Sequence, residues 1–136
     1  MNPSSLQRPT SLSMVAANTE TYADFGGLLR DFLHAFAEHK RMQRDLSPML
    51  AEEPDLLAQR FAEGPICDAF LAATADQLSR NAGIPTPQWA MSPQRVLEEP
   101  WFSEPFHEVR MRLLRDTPSA FKDRNLFVFE SALHVA

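Results

Sequence analysis

The sequence predicts an all-α protein. It reads as a single compact helical domain of one long and several short proline-started helices, spanning residues 19–136 behind a disordered arm at 1–18. Three observations carry this. Phe25, Leu28, Leu29, Phe32, Leu33 and Phe36 recur at i, i+3, i+4, i+7, i+8 and i+11, the stripe of an amphipathic helix. Residues 84–129 hold six of the eleven prolines, five of the ten phenylalanines and both tryptophans. Prolines fix φ and stop helices, so this block must turn repeatedly, while its aromatics still offer it apolar surface to bury. Finally, only one short run, Leu126–Phe129, looks like a strand, and four apolar residues do not separate strand from helix by period.

The elements follow in order. Residues 1–18 are rich in Ser, Thr and Pro and are expected to be flexible. A long helix is predicted from near Thr19 or Thr21 to about Arg44, with Arg30, Asp31, His34 and Glu38 on its outer side. Gly26 and Gly27 fall in its first turns and cost roughly 1 kcal/mol each relative to alanine. Ser47-Pro48 starts a short piece with Met49 and Leu50 on its apolar side. Pro54 is expected to open another short helix carrying Leu56, Leu57 and Phe61 and ended by Gly64. Pro65 begins the next, with Ile66, Ala69, Phe70, Ala73, Gln77 and Leu78 on one face and Gly83 and Pro85 closing it. Ser92-Pro93 is a cap-and-first-turn pair that should aim Val96 and Leu97 inward. Pro105 begins a helix on which Phe106, Val109 and Leu113 align and from which Arg110, Arg112 and Arg115 project. Thr117-Pro118 repeats the pattern through Phe121, and Ser131–Val135 forms a closing turn.

At 136 residues, 44% hydrophobic and 23% charged, the composition is globular. A net charge of −5 argues against a nonspecific hold on nucleic acid, which needs clustered cations. No run of 18 apolar residues exists to cross a membrane, and the first residues lack a basic start followed by an apolar core. With Cys67 the lone cysteine, no internal disulfide or multi-cysteine zinc site is available, and a cytoplasmic setting is expected.

Few constellations point to chemistry. His34 and Glu38 stand at i, i+4 with His39 beside them, but a metal site needs a third ligand and a solvated face is the simpler reading. Cys67 reads as a small core residue, and Glu98 and Glu99 diverge as neighbours on a helix. Gly26-Gly27 lacks both the preceding strand and the following lysine of a phosphate loop. No catalytic residue, cofactor or metal is implied. Arg110, Arg112, Arg115, Lys122 and Arg124 concentrate positive charge in an otherwise acidic chain. They read either as ordinary surface charge, as a docking face for an acidic partner, or as a nucleic-acid contact, the last disfavoured by the net charge.

Leu50-Ala-Glu-Glu-Pro, Asp76-Gln-Leu, Ala82-Gly-Ile-Pro-Thr-Pro-Gln-Trp, Pro100-Trp-Phe and Thr117-Pro-Ser-Ala-Phe-Lys-Asp-Arg-Asn-Leu-Phe-Val together span roughly residues 50–135. This series resembles the C-terminal module of bacterial helix-turn-helix and antitoxin-like proteins. The resemblance implies a non-catalytic regulatory partner of a toxin-like enzyme. Residues 1–49, a tail and one long helix, depart from the trihelical spacing of a helix-turn-helix, so it is the interaction role that the resemblance carries. The expected docking residues are Trp101, Phe102, Arg110, Arg124 and Asn125. Beside this stands the reading that Trp89, Trp101, Phe102, Phe121 and Phe127 are core, and that Asn125 serves a turn in left-handed geometry. A DNA-binding regulator would need a reading helix within 19–64. An enzyme would need His107, Cys67 or the glutamate pair gathered in one cleft. The stripe of the first helix also leaves homodimerisation open.

Overall fold

A computed structural model describes residues 8–134. The protein is all-α, with 60% of its residues helical and 3% in strands. Contacts divide the chain into two compact units, the boundary falling between Gly64 and Pro65.

In the first unit, α1 (Leu12–Asn18), α2 (Tyr22–Arg41) and α3 (Ser47–Ala51) are joined by tight links. Of the expected stripe of α2, Phe25, Leu29, Phe32, Leu33 and Phe36 are buried and Leu28 is half-buried. Thr21 is its N-cap, and the Asp24 carboxylate accepts hydrogen bonds from the backbone N–H groups of Glu20 and Thr21 at 3.1 and 3.0 Å. Those backbone donors hold the Asp24 carboxyl below its ordinary range. The helix ends with Gln43 at φ 59°. The Arg44 N–H returns to the His39 carbonyl and the Gln43 N–H to that of Lys40, a left-handed cap built without glycine.

Two expectations fail in this unit. The flexible arm ends earlier than residue 18, because Leu12, Val15 and Ala16 are wholly buried on α1, which packs against α2 and α3. Ser11 caps α1, its hydroxyl accepting from the Met14 N–H at 3.2 Å. Residues 1–7 of the expected arm lie outside the described residues. The helix expected from Pro54 is absent as well: residues 52–63 run as extended chain and turns. A proline biases the residue before it away from helix. Here Leu57, wholly buried, sets its carbonyl against Gly64, so closely that a Cβ there would collide with it. Arg60 fastens this loop by donating to the Ala16 carbonyl at 3.0 Å.

The second unit is built on α4 (Gly64–Ala82), which is buried almost all round; from Cys67 to Ser79 only Phe70 and Gln77 are partly open. Gly83, at φ 70°, ends it: the Ile84 N–H bonds to the Ser79 carbonyl and the Gly83 N–H to that of Arg80. Two 3₁₀ turns follow, Gln88–Met91 and Pro93–Arg95. Next come β1 (Trp101–Phe102), α5 (His107–Asp116), α6 (Ser119–Lys122), β2 (Leu126–Phe127) and a closing 3₁₀ turn, Glu130–Leu133. Val135 of the expected closing turn lies outside the described residues. β1 and β2 pair in parallel, Trp101 opposite Leu126 and Phe102 opposite Phe127.

Alternation settles the Leu126–Phe129 run as strand-like. Leu126 and Val128 are buried, whereas Phe127 and Phe129 turn outward. The inward pair joins Ala69, Ala73 and Phe121 in one core, against which Trp101 and Leu97 pack. Phe70 meets Phe121 edge-on with centroids 5.1 Å apart. Val96 does not point inward as expected; it is exposed, and the wholly buried neighbour is Arg95. Its guanidinium lies 4.9 Å from the Trp89 ring centroid and 4.0 Å from the Asp68 carboxylate.

Candidate functional site

The five residues expected to dock a partner divide into structural and exposed groups, all within the second unit. Arg124 belongs to the structure. It is 3% exposed, and its guanidinium donates to Asp76 Oδ2 at 2.9 Å, to the Ala120 carbonyl at 2.7 Å and to the Ala90 carbonyl at 2.8 Å. Asp76 also accepts a two-pronged bond from Arg80 at 3.0 and 2.9 Å and the Thr86 hydroxyl at 3.1 Å. Burial pushes the Asp76 carboxyl up, but the hydrogen bonds from Arg80 and Arg124 outweigh it and hold the group below its usual range. A side chain so enclosed reaches no partner. Sequence counted its charge correctly and placed it wrongly, because its counter-ion lies 48 positions upstream.

Asn125 has a turn role. It sits at φ 63°, the left-handed region that asparagine tolerates, and its amide donates to the Leu97 carbonyl at 2.7 Å. Its own carbonyl receives the Trp101 N–H at 2.9 Å, which begins the β1–β2 pairing. Trp101 is half-buried, with its ring on the core side.

Arg110 is exposed, and Phe102 is half-buried beneath it. Phe102 stacks on Phe127, centroids 4.8 Å apart and planes inclined 19°. The Arg110 guanidinium lies 5.0 Å from the Phe102 centroid, while its Nε donates to the Glu104 carbonyl at 3.2 Å. A stacked guanidinium of this kind contributes about 0.5–1 kcal/mol when exposed and more once a partner removes water. The site is therefore an aromatic pair with a fixed cation, pre-arranged by the outer side of the strand pair and the first turns of α5. Sequence missed Phe127 as a member, although the alternation from Leu126 to Phe129 was the signal that turns it outward.

Helix α5 extends this face. Only Leu113 is fully buried on it and Val109 half-buried, while the other eight residues are exposed. Arg115 clamps its neighbour Asp116 at 2.7 and 2.9 Å, and Lys122 donates to the Arg115 carbonyl at 3.0 Å. Arg112, Leu113, Arg115, Asp116, Phe129 and Glu130 surround a depression of about 180 Å³. That is below the roughly 300 Å³ at which small-molecule sites begin, and suits one inserted side chain.

Cys67 is wholly buried, whereas His107, Glu98 and Glu99 are exposed. Among the described residues no three His, Cys, Asp or Glu side chains are placed to hold a metal, and no helix is long and apolar enough to cross a membrane. His39, one of the three weighed as a ligand, instead bonds the Ala35 carbonyl through Nδ1 at 2.9 Å. No family model, curated protein or solved structure matches the chain.

Proposed function

We propose that the chain is a non-catalytic protein-interaction module, the antitoxin-like or regulatory partner of a toxin-like enzyme in the bacterial cytoplasm. One observation carries the reading: the exposed Arg110 lies over Phe102, which stacks on Phe127, so that two half-buried rings and a guanidinium are pre-arranged together in the second unit. Arginine and large aromatics dominate the energetics of protein interfaces, and side chains already held in place lose little entropy on docking. The resemblance of residues 50–135 to the antitoxin-like module supports the same role. Of the docking residues named from sequence, Phe102 and Arg110 act directly. Trp101, Arg124 and Asn125 shape the face from beneath.

Retrieval of the tagged chain from its native cells, with mass spectrometry of what accompanies it, tests this. A single stoichiometric protein is expected with the natural chain and is lost with Phe102→Ser/Arg110→Glu. Retention by that variant, or no partner at all, refutes the reading. Recovery of nucleic acid with a steep dependence on salt would favour a DNA-binding regulator instead.

A further inference from the structure

The outward side of α5 indicates what kind of partner surface it meets. Phe106, Met111 and Leu114 are 66%, 55% and 46% exposed. With 3.6 residues per turn, His107, Met111 and Leu114 share one face at i, i+4 and i+7, opposite the buried Leu113. Arg110 flanks that face on one side and Arg115 on the other, with Arg112 further round the helix beyond Arg115. The ten residues of α5 carry three arginines against Glu108 and Asp116, so the helix is net +1 in a chain of net −5. Of those two carboxylates, Asp116 is already bound by Arg115, with Arg112 and Lys122 adding attraction. The Arg110 guanidinium bonds only a backbone carbonyl here, that of Glu104, and Arg112 acts on Asp116 through longer-range attraction.

We infer that this face of α5 receives an acidic amphipathic segment of a protein partner. Its apolar side chains would cover Met111 and Leu114, while its carboxylates meet Arg110 and Arg115 on the two edges of that face. The inference rests on the docking reading above and specifies the partner's chemistry. Charge complementarity selects it. Carboxylates pair with guanidinium groups in a two-pronged geometry, and an apolar seam between them supplies the affinity that exposed ion pairs lack. Nucleic acid fits less well, because the remainder of the chain is net negative and repels phosphate.

The test uses the full ¹⁵N-labelled chain and two synthetic 18-residue amphipathic peptides, one of leucine and glutamate and one of leucine and lysine. A 20-base-pair DNA duplex is titrated in parallel. The acidic peptide should shift the amide resonances of 107–116 and bind at least tenfold more tightly than the basic one. Arg112→Glu/Arg115→Glu should reverse that preference while leaving the thermal midpoint within about 2 °C, since exposed charges contribute little to stability. Equal binding of both peptides, shifts confined to other elements, tighter binding of the duplex or no binding overturns the inference. A cellular partner lost with Phe102→Ser/Arg110→Glu but kept by Arg112→Glu/Arg115→Glu would also overturn it, and would leave the docking reading standing.

Discussion

Replacing Arg124 separates a structural role from a docking role, and its magnitude follows from the geometry. Arg124→Met keeps the bulk of the side chain and deletes its donors to Asp76, Ala120 and Ala90. Breaking a buried ion pair by removing one partner costs about 3–5 kcal/mol, and two buried carbonyls lose a donor as well. Asp76 keeps Arg80 and Thr86, which limits the loss, so about 4 kcal/mol is expected. At roughly 2.1 cal/mol/K per residue, unfolding 136 residues has an entropy near 0.29 kcal/mol/K. The midpoint should therefore fall by about 14 °C, read by circular dichroism at 222 nm and pH 7. Asp76→Asn supplies the second arm of a double-mutant cycle. Once the pair is broken, the second change should cost about 1–3 kcal/mol less than it does alone. The pH dependence has a definite sign. Asp76 is held below its usual range in the folded chain, so its contribution is complete above about pH 4 and is lost as pH falls through the folded value. Asp76→Asn should flatten that acid limb. A midpoint that drops by less than 3 °C, or a strictly additive cycle, would refute the structural assignment of Arg124.

Three further outcomes are expected. Gly83→Ala and Gln43→Gly probe the same left-handed cap in opposite senses: the first should lower stability by about 1 kcal/mol and the second raise it by a similar amount, measured by urea unfolding. Gly26→Ala/Gly27→Ala places two methyl groups where nothing lies within 4 Å, and should stabilise α2 by about 1–2 kcal/mol in total; an unchanged urea midpoint would contradict a regular helix there. The buried Thr117 hydroxyl donates to the Val128 carbonyl at 2.9 Å and accepts its N–H at 3.1 Å, so Thr117→Val should cost about 1–3 kcal/mol, whereas a neutral effect would show that β2 is not anchored through this bond.

Local periodicity carried much of the fold in the sequence. The stripe of α2, its start at Thr21, the proline entry and glycine exit of α4, and the turn role of Asn125 all rest on neighbours a few positions away. What escaped depends on partners far along the chain. Arg124 looks like a surface cation until Asp76 is brought against it, and Arg95, which carried no signal at all, is buried beside Asp68. Leu12, Val15 and Ala16 do form an i, i+3, i+4 stripe, but the Ser and Thr residues around them weighed towards an arm; Ser11 among these is in fact the cap. Pro54 reads as a helix start because proline suits a first turn, yet burial of Leu57 and its close approach to Gly64 keep the segment extended. The candidate site shows the same division. Phe102 and Arg110 were legible as an aromatic and a cation near each other in sequence, whereas stacking on Phe127 required β2 to return beside β1.

That return has a kinetic consequence. Trp101 and Leu126 are paired across 25 positions, so aligning β1 with β2 closes a loop whose ends cost about 3 kcal/mol of chain entropy to bring together. The two-residue strands contribute only a few backbone hydrogen bonds, each about 1 kcal/mol net. Closure must therefore wait for a surface on which Trp101, Phe121 and Leu126 can bury together, and α4 supplies it through Ala69 and Ala73. The strand pair thus depends on α4, and the aromatic face of Phe102 and Phe127 exists only once that pair has closed on it. A partner reading that face would engage completed molecules and pass over partly folded ones.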